Sequence, residues 1–321
     1  MRRIVPLIVC ALALVSCSSN GSDSTAEPTS TVAATQPTDT TPADTTPSDT
    51  VPPDTTGTTV SLADRPFDVF VPSSYQEGSP APLLVLLHGY GATGAIQEGY
   101  LGLQAIAEAR GFLYVHPDGT KNVLGDPFWN ATDACCQRLQ ENIDDVGYLM
   151  ALVDDVSTRF DVDPKRVWFA GHSNGAFMSH RLACEQADHI AAIVSLAGAT
   201  WADPSKCSPS EPVSVLQIHG TADLTIQYEG GSLFGRDFPS AMQTVETWSQ
   251  KNACGALSPV DGTLDLDGGI DGAESTVMSA ADCPAGISVD LWTIAGGGHI
   301  PSLSATFAQQ VVDWLYAHPK P

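Results

Sequence analysis

The chain has 321 residues, 43% of them apolar, with 14 Lys+Arg against 37 Asp+Glu and a formal net charge of −23. A field this negative repels phosphate backbones and anionic headgroups, so no nucleic-acid partner is expected and the acidic surface reads as a solvated one. No apolar run reaches the ~20 residues that a helix needs to cross a bilayer, which excludes a multi-pass membrane protein.

The N-terminus reads as an address. Arg2 and Arg3 precede the apolar stretch Ile4–Val15, which has the length of a signal-peptide core and is too short to span. It ends in Leu14-Val15-Ser16-Cys17, which resembles a bacterial lipobox. Residues 1–16 are therefore expected to be removed and the Cys17 thiol lipidated, so that the protein is held at the envelope membrane of a bacterium. From Ser18 to Thr59, 26 of 42 residues are Thr, Ser or Pro, six are acidic, and none is basic or aromatic. Such a segment cannot bury enough apolar surface to offset its ordering entropy, so residues 17–60 are expected to form a disordered, self-repelling tether. The folded domain is expected over residues 61–321.

Within that domain, short apolar runs alternate with helical patterns. Phe67–Val71 is expected to be an antiparallel edge strand. Pro82–Leu87, Phe112–His116, Val167–Ala170, Ile190–Leu196, Val213–His219 and Val289–Ile294 are almost continuously apolar, as strands of a parallel sheet covered on both faces are. Helical spacing marks Gln97–Ala109, Asn142–Phe160, Ala176–Glu185, Pro239–Lys251 and Ala305–His318. This alternation predicts an α/β fold with a mainly parallel central sheet and helices on both faces.

Six cysteines fall in the domain: Cys135, Cys136, Cys184, Cys207, Cys254 and Cys283. An even number in an exported domain predicts three disulfides. Cys254 and Cys283 flank one excursion between a helix and the last strand and are expected to pair. The partners of the other four stay open, and adjacent Cys135 and Cys136 are poorly placed to bridge each other or to share a metal. There is no CxxC or HExxH, and no metal is expected. The acidic stretch Asp261–Glu274 fails the EF-hand pattern, with Gly269 and Ile270 where a ligand and the Gly should stand. It reads as a turn-rich hairpin.

The motif that carries chemistry is Gly171-His172-Ser173-Asn174-Gly175. It sits between a predicted strand and a predicted helix, the setting of a nucleophile elbow. A serine nucleophile needs a base and a group that orients the base. Two later strand ends carry His219-Gly220-Thr221-Ala222-Asp223 and Gly296-Gly297-Gly298-His299. The order Ser, acid, His assigns Ser173 as nucleophile, Asp223 as orienting acid and His299 as base. The oxyanion donors are expected to be the backbone amides of Asn174 and of Tyr90, the latter in the loop Leu87-His88-Gly89-Tyr90-Gly91.

These blocks occur together with Trp129-Asn130, Cys135-Cys136, Asp144-Asp145-Val146-Gly147-Tyr148 and Tyr228-Glu229-Gly230-Gly231. In that order they resemble the esterase family that contains polyhydroxybutyrate depolymerase-like proteins and feruloyl and acetylxylan esterases. The resemblance implies an α/β-hydrolase without a large lid, no cofactor, and an open ester-binding groove flanked by Trp129 and Tyr90. It also implies that Asp144 and Asp145 hold structure near the site. The chain departs from the family at His299-Ile300-Pro301, where the pattern often runs His-Thr-Trp-Pro. The expected activity is serine carboxylesterase chemistry through an acyl-enzyme, on hydroxyalkanoate oligomers or on feruloyl- or acetyl-type esters, by a monomer that meets the membrane only through its lipid. The rival readings are a catalytically silent surface-binding lipoprotein and a peptidase on the same fold.

Overall fold

The computed structural model describes residues 62–136 and 143–321. The expected signal segment, Cys17 and the Thr/Ser/Pro-rich stretch lie outside the described residues. In chain order the domain contains β1 (Ala81–Leu87), α1 (Gly94–Leu101), α2 (Leu103–Arg110), β2 (Leu113–Val115), the two-residue strands β3 (Thr120–Lys121) and β4 (Pro127–Phe128), α3 (Asp145–Arg159), β5 (Val162–His172), α4 (Asn174–Glu185), β6 (Ala192–Leu196), β7 (Ser214–Gly220), the hairpin strands β8 (Gly231–Leu233) and β9 (Arg236–Phe238), α5 (Ala241–Lys251), β10 (Leu257–Leu264), β11 (Ser275–Ala280), β12 (Val289–Ile294) and α6 (Phe307–Ala317).

The main sheet runs β10-β11-β12-β7-β6-β5-β1-β2. From β12 to β2 every pairing is parallel, and β10 and β11 add an antiparallel edge. All seven residues of β1 are buried, because alternate side chains enter cores on opposite faces. Leu83, Val85 and Leu87 pack with Leu149, Phe177 and Trp248, from α3, α4 and α5. Leu84 and Leu86 pack with Leu103 of α2 and with Val311 and Leu315 of α6. Each fully buried aliphatic side chain contributes roughly 2 kcal/mol over an exposed one.

Two expected elements differ. Phe67–Val71 makes only an isolated antiparallel bridge, Phe70 to Tyr114. Pro66 and Pro72 bracket the segment, and a proline has no amide hydrogen with which to extend a ladder. The single helix expected over Gln97–Ala109 is two, because Gly102 turns left-handed at φ 64° and closes α1. The acidic stretch Asp261–Glu274 supplies the end of β10 and the connection that leads back into antiparallel β11, as in a hairpin.

Cys254–Cys283 and Cys184–Cys207 form disulfides. Cys135 and Cys136 bond to each other, against the expectation that adjacent cysteines would not. A turn in which the Cys135 amide donates to the Thr132 carbonyl at 3.0 Å folds the chain there.

Parallel strands share a C-terminal edge. Ser173 follows β5, Asp223 lies three residues beyond β7, and His299 lies five beyond β12. The strand order reverses where β1 lies between β2 and β5. At that point loops diverge and leave a crevice in open α/β sheets, and both Tyr90 and Ser173 follow the strands that flank it.

Candidate active site

Ser173 sits between strand and helix at φ 53° and ψ −119°. A non-glycine residue in that region stores ~1–3 kcal/mol of strain, which the surroundings must hold. Two glycines make the turn feasible. A methyl group on Gly171 would strike the backbone of Gly175, and one on Gly175 would strike the Leu87 carbonyl at the end of β1. The Ser173 amide donates to the Leu196 carbonyl of β6 at 2.9 Å, which pins the elbow to the sheet.

The Ser173 Oγ lies 2.9 Å from His299 Nε2, and His299 Nδ1 lies 2.8 Å from Asp223 Oδ2. The His299 side chain is 16% exposed and that of Asp223 is fully buried. Asp223 Oδ1 accepts from the amides of Thr225 at 2.8 Å and Ile226 at 2.9 Å. Burial raises the pKa of the Asp223 carboxyl. Hydrogen bonds from His219 and His299 and from the Ile226 amide outweigh it and hold the group well below the usual carboxylate range. Asp223 is therefore an anion facing the Nδ1 of His299.

The loop that bears His299 is fastened from several sides. The Ala222 amide donates to the Gly297 carbonyl at 2.9 Å, and the Gly296 amide to Thr221 Oγ1 at 2.8 Å. His172, the neighbour of the serine, lies 2.9 Å through Nε2 from the His299 carbonyl. Its ring packs between those of Tyr100 and His299. Burial drives its pKa to about 4, so it stays neutral at neutral pH and presents an N–H to that carbonyl. Tyr100 donates to the Pro301 carbonyl at 2.8 Å.

The first turn of α4 and the loop after β1 carry the two amides expected as oxyanion donors. Among the described residues neither the Tyr90 amide nor the Asn174 amide donates to a protein acceptor. His88 is buried and accepts from the Gly119 amide at 2.8 Å, which leaves its Nδ1–H for the Gly89 carbonyl, also at 2.8 Å. The Gly89 amide donates to Gln97 at 3.1 Å. The Asn174 side chain pairs with the backbone of Trp129 in both directions, at 2.7 and 2.9 Å. Trp129 itself is fully buried against His88, with Nε1 donating to the His88 carbonyl at 3.1 Å. It is a strut under the loop that carries the Tyr90 amide, and the expected contact between its indole face and substrate is corrected. Tyr90 is 48% exposed, and its hydroxyl accepts from Asn122 at 2.6 Å. Leu224 and Ile300, next to Asp223 and His299 in sequence, are 89% and 68% exposed.

Asp144 caps α3 by accepting from the Gly147 amide at 2.7 Å. Buried Asp145 pairs with Arg65 and accepts from the Asn130 amide at 2.6 Å. That carboxylate fastens the segment after Trp129. Sequence reasoning gave no role to His88 or Gln97, nor to the Asn174 side chain. The signal for His88 was its place inside the strand-ending Leu-His-Gly-Tyr-Gly, where a buried imidazole can link two loops. Among the described residues no group of three or more His, Cys, Asp or Glu side chains could hold a metal ion.

A mainly parallel sheet with a strained serine at the central strand-to-helix turn, linked through His to Asp, defines an α/β-hydrolase. The chain belongs to the phospholipase/carboxylesterase family, whose model matches residues 74–252, and is a hydrolase of the carboxylic ester class. It is 28% identical to feruloyl esterase B of Piromyces equi over 71% of this chain and 41% of that one, so it spans less than half of that relative's length. It is 26% identical to feruloyl esterase D of Neurospora crassa over 76% of this chain and 77% of that one. An acetyl xylan esterase from Aspergillus awamori superposes with a TM-score of 0.54 at 15% identity, covering 78% of this chain and 93% of that chain, and shows the shared fold.

Proposed function

We propose that the chain is an exported serine carboxylesterase with Ser173 as nucleophile, His299 as base and Asp223 as orienting acid. The observation that carries this reading is the unbroken chain from Asp223 through His299 to Ser173 Oγ, at 2.8 and 2.9 Å. Neutral His299 takes the serine proton at Nε2 as Oγ attacks the ester carbonyl. The imidazolium that forms is stabilised by ionised Asp223 at Nδ1. The amides of Tyr90 and Asn174 receive the oxyanion, a contribution worth ~3–4 kcal/mol per donor in comparable enzymes. His299 then protonates the leaving alcohol, and water attacks the acyl-enzyme by the same route.

The substrate class proposed is a carboxylic ester of a hydroxyalkanoate oligomer, or a feruloyl- or acetyl-type ester. Two relatives are named feruloyl esterases, and half-exposed Tyr90 offers a ring to an aromatic or alkyl group. Three disulfides suit an oxidising compartment, which supports export. The lipid anchor at Cys17 rests on the sequence alone. The test is initial rates on p-nitrophenyl esters of rising acyl length beside methyl ferulate and hydroxybutyrate oligomers. Hydrolysis of at least one class, abolished by a serine-directed phosphonate, is expected. Inertness toward all of them in a folded protein returns the silent-scaffold reading.

A further inference from the structure

Behind the orienting acid, four fully buried side chains from three elements form one hydrogen-bond chain. Trp248 of α5 lies 2.9 Å through Nε1 from His180 Nδ1. His180 of α4 lies 3.1 Å through Nε2 from Gln217 Oε1. Gln217 of β7 lies 2.9 Å through Nε2 from the Gly198 carbonyl and 3.2 Å from His219 Nδ1. His219 lies 2.8 Å through Nε2 from the Ile226 carbonyl and 3.4 Å from Asp223 Oδ2. All four side chains are at most 1% exposed.

The donors settle every orientation. An indole N–H can only donate, so His180 accepts at Nδ1 and carries its proton on Nε2. That proton meets an oxygen of Gln217, which turns the amide so that its NH₂ group faces away. The Gly198 carbonyl demands the same orientation, since it can only accept. The Gln217 NH₂ group then points a hydrogen at His219 Nδ1, which must be unprotonated. His219 is left as a neutral imidazole with its one N–H on Nε2. Burial drives the pKa of His180 to about 4 and keeps it neutral as well.

That N–H is aimed at the turn that carries the acid. Ile226 is bound twice in this turn, its amide by Asp223 Oδ1 and its carbonyl by His219. His219 also faces Oδ2, the oxygen that His299 uses. We infer that His219 is a positioning residue for the ester hydrolysis proposed above, and that Trp248, His180 and Gln217 fix its tautomer so that its N–H holds the Asp223 turn. The inference rests on the assignment of Asp223 as the orienting acid. A misplaced acid costs rate more than binding, because His299 is mis-set only for proton transfer.

The experiment compares His219→Phe and His219→Gln with wild type on p-nitrophenyl acetate, with Ser173→Ala as control, and folding checked by near-ultraviolet circular dichroism. Phe keeps a ring and loses the donor. Gln places an N–H where Nε2 stands. The expected result is a fall of at least about ten-fold in kcat for Phe with KM within about two-fold, and recovery of most of that loss by Gln. A folded His219→Phe with wild-type kcat overturns the inference, as does a His219→Gln no better than Phe. Nitrogen-15 NMR of the wild-type histidines at pH 7 reads the same claim should the variants not fold. His219 and His180 are expected as neutral Nε2–H tautomers, and either one protonated at Nδ1 overturns it. Activity surviving in Ser173→Ala would instead overturn the reading of the site and leave the tautomer result standing.

Discussion

The elbow is held by the residue after the serine as much as by its flanking glycines. The Asn174 backbone amide is a proposed oxyanion donor, while its side chain clasps the backbone of Trp129. Trp129 in turn reaches the His88 carbonyl. One residue thus ties the turn of Ser173 and Asn174 to the loop of His88 and Tyr90, the two segments proposed to supply the oxyanion donors. Trp129 acts on both loops alike, so its replacement should not discriminate between substrates. Trp129→Phe removes one buried hydrogen bond and part of a well-packed ring, and is expected to lower stability by about 2–3 kcal/mol in urea. Its kcat/KM should fall by a similar factor across an ester panel. A change that is large for aromatic esters and absent for acetate would instead place the indole against the acyl group.

The legibility of this protein differs by element. The parallel strands β1, β6, β7 and β12 were readable because both of their faces are buried, which writes a continuous apolar run. β5 reaches back to Val162 through Asp163, Lys165 and Arg166, a polar half that carries no such run. β10 is exposed along nearly its whole length and β11 is mostly half-buried, so neither writes an apolar run and both read only as an excursion. Ser173, Asp223 and His299 stand at strand ends beside glycines, so local spacing pointed to them. Gln217, His180 and Trp248 come from three separate elements, and only packing brings them into line. The burial of Trp129 was equally hidden, since a Trp-Asn pair in a loop fits a groove wall and a core strut alike. The break at Gly102 was obscured because apolar residues continue the helical pattern on both sides of it.

On the scale of the whole domain, burial lowers the pKa values of His88, His172, His180 and His318. Each is neutral in the folded protein near neutral pH, while in the unfolded chain it takes up a proton below ~6.5. Stability from these groups is complete above that value and is lost as pH falls toward their folded values. For His172 and His180, both near 4 when folded, the loss by pH 5 is roughly 2 kcal/mol each. The lowered Asp223 adds to acid sensitivity only below about pH 4. The thermal midpoint is therefore expected to drop by several degrees between pH 7 and pH 5. A midpoint that stays level or rises over that interval would show that these imidazoles are not held neutral.

The claim on which the functional account stands is that Ser173 is the nucleophile, set at φ 53° and 2.9 Å from His299. The most direct test is kcat/KM for p-nitrophenyl acetate in purified Ser173→Ala beside wild type, with thermal midpoints taken on the same samples. The account predicts a loss of about 10⁴-fold or more with the midpoint nearly unchanged, since the serine hydroxyl contributes chemistry and little packing. A folded Ser173→Ala protein that keeps more than about 1% of wild-type activity would contradict it.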